Sequence, residues 1–404
     1  MKITYLHQYF NTPEMSGSTR SYEMARRLSA RGHRVNMITS WREKDGRRGW
    51  FETGEDGIRV HWLPVVYSNK MSYRDRINAF LRFAWGAAHR AASLPSDVIF
   101  ATSTPLTIAL PGSYAAMCQR VPMVFEVRDL WPELPIAVGA LKYPLLQKTA
   151  RSLERFAYRR SERIIALSPG MKEGVMQTGF PEEKITVIPN SSDLDFFIPG
   201  HSDQDAFRSL YPAIGKAPLM IYTGSIGKIN GVGYLPKIAA ASRAQGFMLQ
   251  FAVVGQGMEE KAVRAEAEKL GVLGVNFHMH PAVPKRKMPE ILAAADLAFS
   301  LFVDLKPMWA NSANKFFDAL ASGTPVAINY GGWQAELIEK SGAGIVLPPD
   351  NPEEAARRLN LFATKNGWLK QAGKAARKLA ENHFNRDLMA EHLEKVLISA
   401  VTDR

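Results

Sequence analysis

Short apolar runs alternate with helix-patterned segments twice along this chain, and no other feature constrains the fold as strongly. The first half opens with the strand KITYLHQYF, a polar loop NTPEMSGST, a helix SYEMARRLSARG and a strand HRVNMIT. In that helix Met24 and Leu28 recur at helical spacing, and Gly32 can close it. A βαβ unit of this kind calls for parallel strands and a right-handed crossover. Further apolar runs follow at IRVHWLP, DVIFATS, VPMVFEV and RIIALS.

The rhythm restarts at LMIYTGSI and continues through YLPKIAAASRA, FMLQFAVVGQG, MEEKAVRAEAEKLG, VNFHMH, MPEILAAAD, LAFSLF and PVAINYGGWQAELIEK. Two doubly wound α/β domains are the natural outcome, and 404 residues exceed what one core usually organises. The polar, proline-containing segment 190–217 is where the boundary is expected. In such sheets ligands bind outside the carboxyl ends of the strands, so the loops that follow strands are where chemistry belongs.

Composition narrows the function classes. The single Cys118 excludes an internal disulfide framework and suits a reducing cytoplasm. MKITYLHQYF has no apolar h-region, so no secretory signal is expected, and no apolar run approaches a membrane span. The formal charge of +12 calls for an anionic partner. Without zinc-finger spacing or an aromatic-rich basic repeat, phosphorylated ligands or anionic lipid are favoured over nucleic acid.

Four post-strand segments carry candidate chemistry. NTPEMSGST, with Gly17, is either an ordinary turn or a loop that admits a ligand's phosphates at a helix start. FEVRDLWPELPIAVG places Glu126, Arg128, Asp129 and Glu133 together, as a salt-bridge network or as a cleft wall. TGSIGKINGVG fits neither a Walker loop nor a dinucleotide fingerprint. Its glycines leave either a flexible turn or a diphosphate cradle built from the amides at Gly224 and Gly227 beside Lys228.

In NSANKFFDALASGTPVA, Asn and Ser are expected to open a helix that Gly323 closes. Lys315 would then sit in its first turn, against the helix dipole. Such a cation is sensible where an anion occupies the same spot. Asp318, at i+3, could accept hydrogen bonds from hydroxyls; as a plain ion pair the two would contribute only roughly 0.2–0.5 kcal/mol.

His7, His278 and His280 raise the question of a metal. His278 and His280 alternate along one strand and point to opposite faces, and no Asp/Glu/His trio has ligand spacing, so no metal is expected. The segment 67–94 (YSNKMSYRDRINAFLRFAWGAAHRAASL) reads as a basic amphipathic helix, packed on the first sheet or docked on an anionic membrane surface.

With these positions assembled, the chain resembles the retaining glycosyltransferases of family 4, which have the GT-B fold of two Rossmann-like domains facing each other across a cleft. The resemblance runs through GSTRSYEMARRLSARGHRVNMIT, SERIIALSPGMKEGV, ITVIPNSSDLDFF, IYTGSIGKINGVG, VVGQG and NKFFDALASGTPVA. EVRDLWPELP is similar to the WbuB-type enzymes of bacterial O-antigen and capsule assembly. The resemblance implies an acceptor-binding domain at 1–198, a nucleotide-sugar-binding domain at 199–380, and a terminal helix near 381–404 able to pack back on the first.

By the same resemblance, Gly17 approaches the donor diphosphate, and Arg128 and Asp129 hold the place of a catalytic-site His followed by Asp. Gly224 to Gly231, including Ser225, Lys228 and Asn230, form the phosphate loop, with Gly255 in the neighbouring VVGQG. Met279 and His280 border the base. Asp318 stands for the second glutamate of the E-x7-E motif, which binds the ribose.

The chain departs from the family pattern at several of these positions. Asp318 is shorter than Glu, Ala310 stands where the first glutamate would be, and Arg128 replaces the His. Ser225 and Asn230 replace the usual Arg and Lys, which leaves Lys228 and Lys315 as the local cations. The implied activity is metal-independent transfer from a UDP-sugar, an N-acetylated or deoxy amino sugar by subgroup, to a polyprenyl-diphosphate-linked acceptor. That places the protein in the cytoplasm, peripherally at the inner membrane face. A nucleotide-sugar 2-epimerase and a non-catalytic nucleotide-sugar-binding module are the rival readings.

Overall fold

The apolar runs become parallel strands buried on both sides, which is why they read as continuous rather than alternating hydrophobic stretches. Val98–Thr102, Met123–Val127, Leu219–Thr223 and Gln250–Val254 are buried at every position. The computed structural model describes residues 1–15, 17–67, 71, 73–200, 203 and 205–403. Ser16 of the first loop, residues 68–70 and 72 of the basic segment, and 201, 202 and 204 of the expected boundary lie outside the described residues.

The chain divides into Met1–Pro189 with Asp387–Arg404, and Asn190–Arg386. The division falls ahead of the expected residue 198, because the chain at Asn190 is already tied to the second unit: its amide donates to Ser312 Oγ at 3.0 Å. The final stretch from Asp387 groups with the first unit.

In the first unit the chain order is β1 (Lys2–Leu6), α1 (Arg20–Ala30), β2 (Arg34–Trp41), β3 (Phe51–Glu55), β4 (Ile58–Pro64), α2 (Tyr73–Ser93), β5 (Val98–Thr102) and α3 (Ala109–Gln119). It continues with β6 (Met123–Val127), α4 (Glu133–Ala137), α5 (Pro144–Arg159), β7 (Arg163–Ala166), α6 (Pro169–Met176) and β8 (Ile185–Val187). The sheet order is β3-β4-β2-β1-β5-β6-β7-β8. Connections run one way from β1 to β2 and the other way from β5 onwards, so the topological switch lies between β1 and β5.

One strand breaks the expected pattern. β3 alternates in burial and runs antiparallel to β4, with Phe51 opposite Trp62 and their rings stacked 6.2 Å apart. Ile3, Tyr5, Met37 and Phe100 meet Met24 and Leu28 of α1 and Met389 and Leu393 of the terminal helix in one core.

In the second unit α7 (Asp205–Arg208) leads into β9 (Leu219–Thr223), α8 (Tyr234–Ala244), β10 (Gln250–Val254), α9 (Glu260–Lys269), β11 (Phe277–His280), α10 (Met288–Ala294) and β12 (Leu297–Ser300). Then come α11 (Asn314–Ala321), β13 (Val326–Ile328), α12 (Trp333–Ser341), β14 (Gly344–Val346), α13 (Pro352–Thr364) and α14 (Trp368–His383), after which α15 (Arg386–Thr402) belongs from Asp387 onwards to the first unit. All six strands pair in parallel in the order β11-β10-β9-β12-β13-β14, which puts the switch between β9 and β12.

Candidate active site

At the second unit's switch point, the loop leaving β9 lies against the loop leaving β10. Gly224 N donates to Val254 O at 3.0 Å and Ile226 N to Gln256 O at 2.9 Å. The approach is so close that a Cβ on Gly255 would stand 1.9 Å from Gly224 O, which only glycine avoids. Gly227 N donates to Asn230 Oδ1 at 3.2 Å. The amides of Gly224 and Gly227, expected to hold a diphosphate, are therefore spent inside the loop, and Asn230 is its internal clasp. What the loop offers outward is exposed Gly224, Ser225 and Lys228.

Lys315 is a second cation beside the loop. It lies in the first turn of α11, where among the described residues no side chain caps the helix. Asn311 and Ser312 do not open the helix as expected, since Ser312 accepts from Asn190 instead. Lys315 Nζ donates to the Tyr222 hydroxyl at 2.7 Å and sits 4.3 Å from the Tyr222 ring centroid and 5.7 Å from that of Phe302. Its stem passes Gly224 so closely that a Cβ there would lie 3.4 Å from Lys315 Cε. Burial, with no carboxylate partner among the described residues, lowers the ammonium pKa to about 7.

Asp318, one turn deeper, does not pair with Lys315. Its carboxylate accepts from Ser192 Oγ on one oxygen and from Lys285 Nζ on the other. Gly255 N donates to the carbonyl of His280 at 3.1 Å, so the end of β11 is fixed to the same loop layer. The His280 ring lies 5.7 Å from Phe207, and Met279 O accepts from the Tyr211 hydroxyl at 3.3 Å. His278 instead turns to Gln250, 2.9 Å away, in the interior.

In the first unit Arg128 follows β6 and gathers three loops at the switch point. Its amide donates to Ser103 Oγ at 3.0 Å, and its guanidinium lies 3.2 Å from His7 Nε2 and 3.2 Å from Ser18 Oγ. Burial holds His7 well below the usual histidine range, with Arg128 and Arg42 adding to the shift. Asp129 is pushed up to about 6 by burial, which outweighs the pull of Arg128. Gly17 takes φ +134°, where a Cβ would meet Asn11 Nδ2 at 2.6 Å.

The expected four-residue ionisable cluster separates. Glu126 belongs to β6, fully buried, bound to Arg20 at 2.8 Å and accepting from Thr102. Arg20 also donates to Ile188 O and Pro189 O, so this pair is core architecture. Glu133 opens α4 and faces Arg151 at 3.6 Å.

The helix of segment 67–94 does pack on the sheet, through Ala79, Phe83, Ala87 and Ala91 of α2. Its outer stripe nevertheless leaves Ile77, Leu81 and Trp85 exposed, the last by 73%. Trp85, His89 and Tyr114 of α3 form a ring chain with centroid spacings of 4.8 and 5.9 Å. Met117 on α3 and Leu145 on α5 are 60% and 75% exposed. Lys148, Arg151, Arg155 and Arg159 line one face of α5, spaced three and four residues apart. Among the described residues no helix is long and apolar enough to cross a membrane.

Tyr222, Ser192 and Lys285 escaped the sequence reading. Tyr222 was open to discovery, since it stands two residues before Gly224; the other two act on Asp318 from distant segments.

Comparison with known proteins completes the assignment. Residues 17–191 match the family described as Glycosyl transferase 4-like domain, and residues 203–379 match Glycosyl transferases group 1. The chain belongs to the family 4 glycosyltransferases of GT-B fold. It is 24% identical over 303 residues to the putative colanic acid biosynthesis glycosyl transferase WcaI of Escherichia coli K12, covering 70% of this chain and 73% of that one. Its fold matches Anabaena Alr3699/HepE in complex with UDP and glucose, with TM-score 0.73 and 17% identity over 99% of this chain and 100% of that one. WaaG, a glycosyltransferase involved in lipopolysaccharide biosynthesis, matches with TM-score 0.69 and 18% identity over 98% and 99%.

Proposed function

We propose that this glycosyltransferase moves a sugar, with retention and without a metal, from a UDP-sugar to a polyprenyl-diphosphate-linked acceptor in bacterial surface polysaccharide assembly. The observation that carries the reading is Lys315, an ammonium held at an uncapped helix start beside the exposed backbone of Gly224. Such a group belongs where a diphosphate leaves with the electron pair of the broken bond. Asp318, Met279 and His280 supply the ribose and base side of the same loop layer. UDP in the HepE complex and the polysaccharide roles in the names of WcaI and WaaG support the choice of donor and pathway class.

In the proposed step the bond from the anomeric carbon to the diphosphate oxygen breaks as the acceptor hydroxyl oxygen bonds to that carbon on the same face. The hydroxyl proton passes to the departing phosphate. Lys315 and Lys228 stabilise the growing negative charge, and burial raises the value of the Lys315 contact. Arg128 and Asp129 are assigned to the reacting sugar hydroxyls, with Asp129 in its carboxylate form.

The exposed aromatic and aliphatic side chains of α2, α3 and α5, beside the arginine stripe of α5, favour peripheral attachment to an anionic leaflet. Incubation with a UDP-sugar panel and a polyprenyl-diphosphate-linked sugar, read by mass spectrometry, tests the whole proposal. A new lipid-linked disaccharide supports it. Conversion of the donor alone would indicate an epimerase, and absence of product with every donor would overturn it.

A further inference from the structure

Asp318 is not a bare carboxylate waiting for a ligand. Ser192 Oγ donates to one oxygen and Lys285 Nζ to the other, and the Lys285 ammonium also lies 5.0 Å from the centroid of the Phe197 ring. Ser192 is fully buried, so it fixes the inner oxygen. Lys285 keeps 30% of its side chain exposed and Asp318 keeps 11%, so the pair presents its outer edge to solvent.

The position of Lys285 matters as much as its partner. It opens the helical turn Lys285–Lys287 in the connection that leaves β11, five residues beyond His280. The loop proposed to border the base is therefore tied directly to the helix proposed to hold the ribose. An ammonium has three N–H donors and a carboxylate oxygen has two acceptor positions. With one donor used on Asp318, Lys285 can still donate to a hydroxyl oxygen while Asp318 accepts that or the adjacent hydroxyl's proton.

We propose that Lys285 is a second ribose-recognition group, acting with Asp318 to select a ribonucleotide donor. The proposal rests on reading this loop layer as the nucleotide-sugar site. It also explains how an aspartate serves where a longer glutamate would reach further: the lysine spans the remaining distance. A vicinal diol offers one hydroxyl to each partner, whereas a 2′-deoxyribose leaves one hydrogen-bonding position of the pair unfilled, and an unfilled position in a partly buried site costs affinity.

The test is calorimetric titration of the full chain with UDP and with 2′-deoxy-UDP, for the wild type, Lys285→Met and Asp318→Asn, with thermal melts to check folding. Lys285→Met is expected to weaken UDP binding by about tenfold and to narrow the preference for UDP over 2′-deoxy-UDP. Should that variant melt early, Lys285→Arg, which keeps the ion pair but displaces the charge, is expected to lose the same discrimination. Wild-type affinity and discrimination in the folded lysine variant, with Asp318→Asn weakened, would reduce the pair to a structural ion pair and overturn the inference. Tighter UDP binding by Lys285→Met would overturn it too, by making the lysine a plug. Unchanged UDP binding in both variants would remove the nucleotide-site reading itself.

Discussion

Lys315 donates to the hydroxyl of Tyr222 at 2.7 Å and lies over its ring, while Asp318, three residues along the same helix, binds Lys285 and Ser192. Cation and carboxylate on one helix face thus take separate partners rather than neutralising each other. Tyr222 also donates to Ser225 O at 2.7 Å, so one ring aligns both the lysine and the loop that follows β9.

Tyr222→Phe should keep the ring under the ammonium and remove only the hydroxyl. Loss of its two bonds, from Lys315 and to Ser225 O, is expected to lower kcat/KM by at least about fivefold, at roughly 0.5–1.5 kcal/mol for each hydrogen bond. Steady-state kinetics at saturating acceptor would check it.

Gly255→Ala should be far more damaging to donor binding than its size suggests. The new Cβ would stand 1.9 Å from Gly224 O, forcing the two phosphate-side loops apart. A UDP titration is expected to show strongly reduced affinity in a protein whose far-UV spectrum remains that of the wild type.

Asp129 predicts an acid limb in the pH profile. Its carboxyl titrates near 6, so the carboxylate form assigned to the reaction is lost as pH falls through that value. The profile of kcat/KM should rise through about pH 6, and Asp129→Asn should have low activity without that limb.

Arg20→Met should destabilise the first unit by about 3–5 kcal/mol, because it leaves Glu126 buried without its partner. The double change Arg20→Met with Glu126→Gln should recover part of the loss. Urea unfolding midpoints would measure both, and equal stability of Arg20→Met and wild type would contradict the assignment of this pair to the core.

The two-fold βα rhythm was legible because parallel strands covered on both faces must be apolar throughout, as VIFAT and LMIYT are. β3 was not legible: FETGE is polar and alternating, as an antiparallel edge strand needs to be, and it resembles a loop in sequence. At the candidate site, local patterns drew attention to Lys315 and Asp318, since both stand on one short helix after a strand. They could not show that Glu126 answers to Arg20, 106 residues away, or that Asp318 answers to Ser192, 126 residues away. Nor could glycine spacing show that the amides of Gly224 and Gly227 are already bonded within the loop layer.

The role proposed for Lys315, as the cation facing the donor diphosphate, is tested most directly by UDP titration across pH. In the free protein its ammonium titrates near 7; a diphosphate beside it favours the charged form and raises that value in the complex. Wild-type affinity should therefore be highest below about pH 7 and fall as pH rises beyond it, with proton uptake on binding. Lys315→Met should bind UDP weakly and without this pH dependence, whereas a folded Lys315→Met that bound UDP as tightly as the wild type would contradict the account.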